Sequence, residues 1–418
     1  MMRYILEFVL FLLLMFQPVY GGSFKAGAAK RIITPDPLLP VSGGVGIPKQ
    51  ATIKKGELTT RALVLLKDDT KIVIVSIDNL GVPKIIGDRI RKLVPEIAPE
   101  NIIIGATHTH SAPDLYGFAD ENGNTGADLN YIDFVISQTA EAIHEAYKNI
   151  QPANLKVAVG KAKGKIAYNA YAPKLYDPRC GVIQLILASK GEIISTLVNY
   201  AIHPEVIGSE RGICTPDLVG PLYDRIESQV GGMAIFMNSA QGGMVTADNR
   251  LGNGKEVNDW NECIRIGELL ADEALRIISK ATVQKDPVIY SAYKEIKLPV
   301  ESDLMKFILK NSILNYKISN GDVVKTRMNL LNIGTAQVLT IPGEALPNIG
   351  FYLKRKMKTN NPFLFGLTND AYGYILTKED FNSFERYNYI TRTSLGKKTG
   401  EIIINEALQL IKESPDSN

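Results

Sequence analysis

Runs of β-type residues alternate with amphipathic helical stretches along almost the whole chain, and no other feature narrows the fold as much. Residues 61–66 and 71–77 are β-rich and separated by the turn-forming Lys67-Asp68-Asp69-Thr70, which predicts a hairpin. Residues 83–93 have helical spacing of Ile85, Ile86, Ile90 and Leu93, and 130–147 place Ile132, Ile136, Ala140, Ile143 and Tyr147 on one side of a helix. Further strands are expected at 101–106, 155–159, 182–187, 193–200, 233–237, 288–300, 336–341 and 363–367. Further helices are expected from 217, at 259–280 with Asn258 as N-cap, and at 303–314, 346–357 and 400–411. Such alternation predicts an α/β (mixed α+β) fold in which central mixed β-sheets are flanked by helices. No Pro/Ser-rich linker interrupts it, so residues 23–418 read as a single catalytic domain.

At 418 residues and 45% hydrophobic, the chain has the material for a large core. Its formal charge of +3 is spread along its length, which gives a nucleic-acid partner no electrostatic footing. At the N-terminus, Arg3 precedes an apolar run over 8–16, and Gly21-Gly22-Ser23 follows. This predicts a signal peptide over 1–22 and a secreted or periplasmic protein, the alternative being an N-terminal membrane anchor. Cys180, Cys214 and Cys263 show no CxxC spacing and read as small buried hydrophobes, with at most one disulfide among them.

Three of the four histidines fall where β-runs end: His108 and His110 after 101–106, and His203 after 193–200. If the first strand continued, His108 and His110 would share one face with Thr109 on the other. Two imidazoles and a carboxylate are a frequent shell for catalytic zinc. Glu344 is a candidate carboxylate because Pro342-Gly343 places it at another strand tip; it is equally suited to the first turn of the next helix. His144 lies on the flank of the 130–147 helix and reads as a solvated surface residue.

These strings carry a family resemblance. Ile33-Thr34-Pro35 is similar to the "ITP" turn of the neutral, non-lysosomal ceramidases, and 108–113 (HTHSAP) resembles their HTHSGP signature. Residues 199–204 with 215–220, Pro342-Gly343-Glu344, and the Tyr-Ile-x-Thr-x-Glu string at 374–379 resemble three more of the family's motifs, in the same order. The resemblance covers the family's N-terminal catalytic domain nearly end to end. It implies a zinc-dependent amidohydrolase in which zinc-activated water attacks the amide of ceramide or a related N-acyl compound. His108, His203, Glu344 and Tyr374 would hold Zn2+, the string match selecting Tyr374 over Tyr372. His110 and Tyr387 would face the scissile group, and Asp217 would orient a ligand histidine or cap the following helix.

The chain departs from the family pattern at two places. A Gly-Asp-x-Ser-Pro-type loop becomes 241–248 (QGGMVTAD), which leaves Thr246 as a substrate-contact candidate, and an Asn-Arg pair becomes Asn169-Ala170. The metal shell is retained while the substrate wall changes. The expected partner is a lipid-like or small N-acyl molecule, with room for peripheral membrane contact and no protein partner. Ester hydrolysis by the same zinc site, or a non-catalytic zinc-containing lipid-binding protein, are the alternatives. The stretch 114–129 is expected at the rim of the site, as a lid or as an ordinary surface loop.

Overall fold

A computed structural model describes residues 23–44, 48–119 and 124–417; the expected signal segment 1–22 and the middle of the 114–129 rim stretch lie outside them. Eight strands make the larger sheet: β1 (Lys25–Ile32), β2 (Thr59–Lys67), β3 (Thr70–Ile77), β4 (Ile102–Ala106), β5 (Gln151–Lys161), β6 (Arg179–Leu187), β7 (Ile193–Tyr200) and β8 (Met233–Asn238). Their order is β8-β7-β6-β5-β1-β2-β3-β4. The interior pairs are antiparallel, whereas β7/β8 and β3/β4 at the two ends are parallel. The expected hairpin is β2–β3, in register from Thr60↔Ile77 to Lys67↔Thr70. A smaller sheet, ordered β9-β10-β11-β12, contains β9 (Ile289–Pro299), β10 (Val323–Ile333), β11 (Ala336–Thr340) and β12 (Asn361–Phe365).

The two sheets face each other, and side-chain alternation decides which residues meet between them. Leu63 and Leu65 of β2, Ile72 and Ile74 of β3 and Ile103 of β4 pack in one core with Leu331, Val338, Phe363 and Phe365 of the smaller sheet. The intervening Val64, Val73, Val75 and Ile104 point the other way, against α1 (Lys84–Lys92) and α2 (Leu129–Lys148). Strands buried on both faces read as continuous apolar runs, which is why 71–77 and 101–106 stand out in the sequence. On the other half of the larger sheet, Val198, Ala234 and Phe236 pack on α3 (Val219–Val230) and α4 (Trp260–Ser279). Helices α5 (Asp303–Asn311), α6 (Pro347–Lys356) and α8 (Thr399–Glu413) cover the outer face of the smaller sheet, and a short α7 (Asn388–Arg392) precedes α8. The molecule is a single α/β domain with mixed sheets flanked by helices, layered helix–sheet–sheet–helix.

One detail differs from expectation: the N-cap of α4 is Asp259, whose carboxylate accepts from the Glu262 N–H, and not Asn258. The three cysteines are buried, as expected, and form no disulfide. No helix among the described residues is long and apolar enough to cross a membrane.

Candidate metal centre

The strands that carry the histidines are tied together by one buried amide. Asn238, at the end of β8, donates from Nδ2 to the carbonyl oxygens of Thr107 (3.1 Å) and Ile202 (2.7 Å) and accepts from the N–H of Ser239. Asn199 does the same one layer back, donating to Met237, Asn238 and Leu364 and so joining β7 to β8 and to the smaller sheet. These buried, well-satisfied amides fix the exits of β4, β7 and β8 relative to one another.

The first histidine pair does not arrive by strand alternation. Strand β4 stops at Ala106, and His108 takes a left-handed backbone (φ 73°). A non-glycine residue in that region is uncommon and costs conformational energy, a pattern typical of functional sites. The turn brings His108 and His110 to the same place although neither is in a strand. The His110 N–H donates to the Pro204 carbonyl at 3.1 Å, which joins the two histidine loops.

Glu344 enters from the smaller-sheet side. It lies in the two-residue strand Glu344–Ala345, three residues before α6, so it is not in the helix's first turn. Glu344 is the parallel register partner of Tyr374, which sets the two side chains beside one another.

The atoms at the centre are acceptors. His108 Nδ1 lies 2.6 Å from the Leu80 carbonyl oxygen and His203 Nδ1 lies 2.8 Å from that of Val245. A carbonyl only accepts, so each Nδ1 carries the proton and each Nε2 presents a lone pair. The Glu344 Oε2 is 3.2 Å from His203 Nε2 and 3.4 Å from His108 Nε2, and His110 Nε2 is 3.3 Å from His108 Nε2. A tetrahedral ion with bonds of about 2.0–2.1 Å separates its ligand atoms by roughly 3.3–3.4 Å. The residues therefore fit a zinc-sized cation, and the ligand atoms of His108, His110 and His203 all lie within 4.8 Å of one another.

The electrostatics agree with that chemistry. Burial disfavours the Glu344 carboxylate, but His108 and His203 outweigh it and hold the group far below the usual carboxylate range. Burial likewise opposes a charged His203, yet Glu344 and Glu205 raise it to about 9, so without a cation the cluster balances its charge by protonating this ring. Burial, partly offset by Glu205, pushes His110 down to about 3. Of the three imidazoles His110 is the most open, 17% exposed against 4% for His108 and 1% for His203.

A cavity partly open to solvent lies against this cluster. Its walls include Leu80, Tyr116, Phe118, Met305 and Ala371, and His108, His110, Glu344, Tyr374 and Tyr389 border it; among the described residues no lysine or arginine does. Several expected residues sit elsewhere. Tyr387 stacks on Tyr171 (ring centroids 5.6 Å) and does not line the cavity, whereas Tyr389, on α7, does and meets Tyr374 edge-on. The Tyr374 hydroxyl donates to Met244 Sδ at 3.4 Å. Thr246 is absent from the cavity wall; its side chain lies beside Glu205 and helps lower the pKa of that carboxylate, which burial raises. Asp217 touches no histidine and accepts from the N–H groups of Ile207 and Leu218, bracing the loop after His203. His144 bonds Glu96 and the Leu93 carbonyl at the surface. Arg179 is spent on Asp177, with two hydrogen bonds of 2.8 Å. The residue the motifs do not single out is Glu205, whose Oε2 is 3.6 Å from His110 Nδ1. Its place directly after His203-Pro204 was the available signal.

No protein-family model and no curated protein matches the sequence. Two solved structures resemble the fold. A neutral ceramidase from Pseudomonas aeruginosa aligns with a TM-score of 0.76 at 16% identity, over 95% of this chain and 76% of that one. A ceramidase complexed with C2 aligns with a TM-score of 0.74 at 17% identity and the same coverage. At such identities the likeness is one of architecture, and this chain has the fold of those ceramidases, with a histidine cluster suited to a metal at the exits of its strands.

Proposed function

We propose that the protein is an exported zinc-dependent amidohydrolase acting on an N-acyl compound with an apolar acyl portion, of the type that ceramide represents. One observation carries the reading: two imidazole Nε2 atoms, on rings whose Nδ1 atoms are held by backbone carbonyls, converge with a carboxylate at 3.2–3.4 Å beside an apolar cavity. In this reading His108, His203 and Glu344 hold the ion, and Tyr374, the ladder partner of Glu344, completes the shell. Bound zinc supplies Lewis-acid activation of a carbonyl and of water.

The chain's own residues do the rest. His110, the most open imidazole, takes and returns the proton that the departing amine needs. Tyr389 takes the role that the family resemblance assigns to Tyr387. Burial and the Glu344 and Glu205 charges push its phenol up to about 12, so it stays protonated and can donate to a developing oxyanion. Leu80, Phe118 and Met305 exclude water from the acyl portion, and a wall without lysine or arginine favours an uncharged group there. Phe384, which meets Tyr387 edge-on, and Tyr389 are both exposed and offer peripheral contact to a lipid surface.

The test is metal analysis of the purified protein with a hydrolysis panel of N-acylsphingosine, simple N-acyl amino acids and aryl esters. About one zinc per chain is expected, with amide hydrolysis lost to a chelator and restored by zinc. His110→Ala should abolish turnover and keep the metal. Zinc-loaded protein that cleaves nothing in the panel would overturn the enzymatic reading, and cleavage of the esters alone would overturn the amide.

A further inference from the structure

His108 and His203 each have Nδ1 fixed by a backbone carbonyl, and His110 does not. Opposite its Nδ1, at 3.6 Å, stands the carboxylate of Glu205. That carboxylate does not stand alone: the Thr246 side chain beside it favours its charged form, and Thr246 is bridged through its backbone to His203. The backbone of His110 is also pinned to this turn, through its N–H to Pro204, the residue before Glu205. A competing arrangement exists on the other side of the ring. When no cation occupies it, the His108 Nε2 lone pair, 3.3 Å from His110 Nε2, would accept a proton placed there.

We propose that Glu205, anchored by Thr246, is a positioning residue that holds His110 in the Nδ1–H tautomer and keeps its Nε2 lone pair turned to the cavity. An anionic acceptor attracts the Nδ1 proton more strongly than a neutral imidazole attracts one on Nε2. Thr246 thereby acts through Glu205 and His110, and not by the direct substrate contact expected of it. The three imidazoles also differ in the nature of their anchors: backbone for His108 and His203, a side-chain carboxylate for His110. A carboxylate that orients a histidine is commonly worth about 10- to 100-fold in function.

The experiment reads the tautomer directly. Protein labelled with ¹⁵N-histidine has only four rings to assign, and loss of a signal in His110→Gln identifies the relevant one. Long-range ¹H–¹⁵N correlation of the parent should show His110 protonated on Nδ1 and bare on Nε2. Glu205→Gln, whose amide oxygen still accepts, should keep that pattern; Glu205→Ala should move the proton to Nε2 or divide it between the nitrogens. A parent ring carrying its proton on Nε2, or a Glu205→Ala ring unchanged from the parent, would overturn the proposal. If Glu205→Ala fails to fold, the parent and Glu205→Gln spectra decide it: a parent proton on Nε2, or one that leaves Nδ1 in the glutamine variant, overturns it. In kinetics on whichever panel substrate is cleaved, Glu205→Ala should lower kcat by roughly 10- to 100-fold with KM within about twofold, and Glu205→Gln should recover most of it. Only this kinetic arm rests on the hydrolase reading: a silent protein with the expected tautomer counts against the hydrolase and leaves the role of Glu205 standing.

Discussion

Substituting Gly242 tests how tightly the backbone sets the position of Glu344. Gly242 follows β8 in the loop that packs directly on the Glu344–Ala345 strand, and its N–H donates to the Ala345 carbonyl at 3.0 Å. A Cβ added at Gly242 would lie 2.2 Å from the Glu344 carbonyl oxygen, 2.8 Å from its carbon and 2.9 Å from the Ala345 oxygen. Those are backbone atoms, which cannot rotate away. Real Cβ contacts begin at 3.0 Å and are ordinary beyond 3.4 Å, so Gly242→Ala forces the two segments apart by about 0.8–1.2 Å. Metal–ligand distances tolerate only about ±0.2 Å, so a shift of that size breaks the convergence of Glu344 with His108 and His203. Zinc affinity should fall by roughly 10- to 100-fold, or about 1.4–2.7 kcal/mol. The assay is competition with a chromophoric chelator, with near-UV circular dichroism to show that the fold persists. Gly252→Ala is the control, because a Cβ there meets nothing within 4 Å. A folded Gly242→Ala protein that binds zinc within twofold of the parent would refute the reasoning, since it would show that the carboxylate's place does not depend on this backbone contact.

Two further predictions concern the charge cluster that clamps α6, the helix after Glu344, to the start of β6. Lys354 Nζ lies 3.0 Å from Asp177 Oδ2, both side chains are 3% exposed, and Arg179 holds the same carboxylate. Asp177→Asn strands a buried ammonium beside a guanidinium and should cost about 3–5 kcal/mol. In a chain of this length that is a fall of roughly 4–6 °C in Tm. Lys354→Met leaves the carboxylate with its arginine and should cost clearly less; equal losses in the two variants would contradict this account. The same aspartate predicts a pH dependence. Burial opposes its charge, but Lys354 and Arg179 lower its pKa to about 2 against an unfolded value near 3.8. Its contribution, about 2.5 kcal/mol, is therefore complete above the unfolded value and is lost as pH falls toward 2, with about half gone by pH 3. The difference in urea midpoint between parent and Asp177→Asn should shrink between pH 5 and pH 3; a constant difference over that range would refute it.

The layers were legible in the sequence because they depend on periodicity, and some features of the centre were not because they depend on backbone turns. Strands β3 and β4 are buried on both faces and show as unbroken apolar runs, and α2 and α4 show as helical stripes. Strand β10 escapes such a reading because polar residues occupy both its faces, Lys325, Arg327 and Asn329 on one and Asn332 on the other, and Asn329 and Asn332 are buried through hydrogen bonds to distant carbonyls. The histidines and Glu344 are conspicuous at strand ends, yet a continued strand is the wrong reason for His108 and His110 to meet: a left-handed residue turns the chain after β4. Which phenol of 387–389 faces the cavity depends on the rotation of the short α7, and spacing along the chain does not specify a rotation. Glu205 is one of 44 acids, and only the fold reveals that its carboxylate meets His110.

The anchors of the imidazoles also explain how such a centre keeps its shape in a fold whose sheets come from distant regions of the chain. Leu80 lies in the loop after β3 and Val245 in the short strand Val245–Ala247 beyond β8, so the carbonyls that orient His108 and His203 come from segments that follow the strands neighbouring β4 and β7. Each ligand is set by the exit of its own strand and by the exit of the next, and Asn238 ties β8 to the exits of β4 and β7. Side-chain substitutions at the cavity wall, at Phe118 or Met305 for example, leave every one of these links intact. The wall can therefore change its side chains while the histidine cluster holds its geometry.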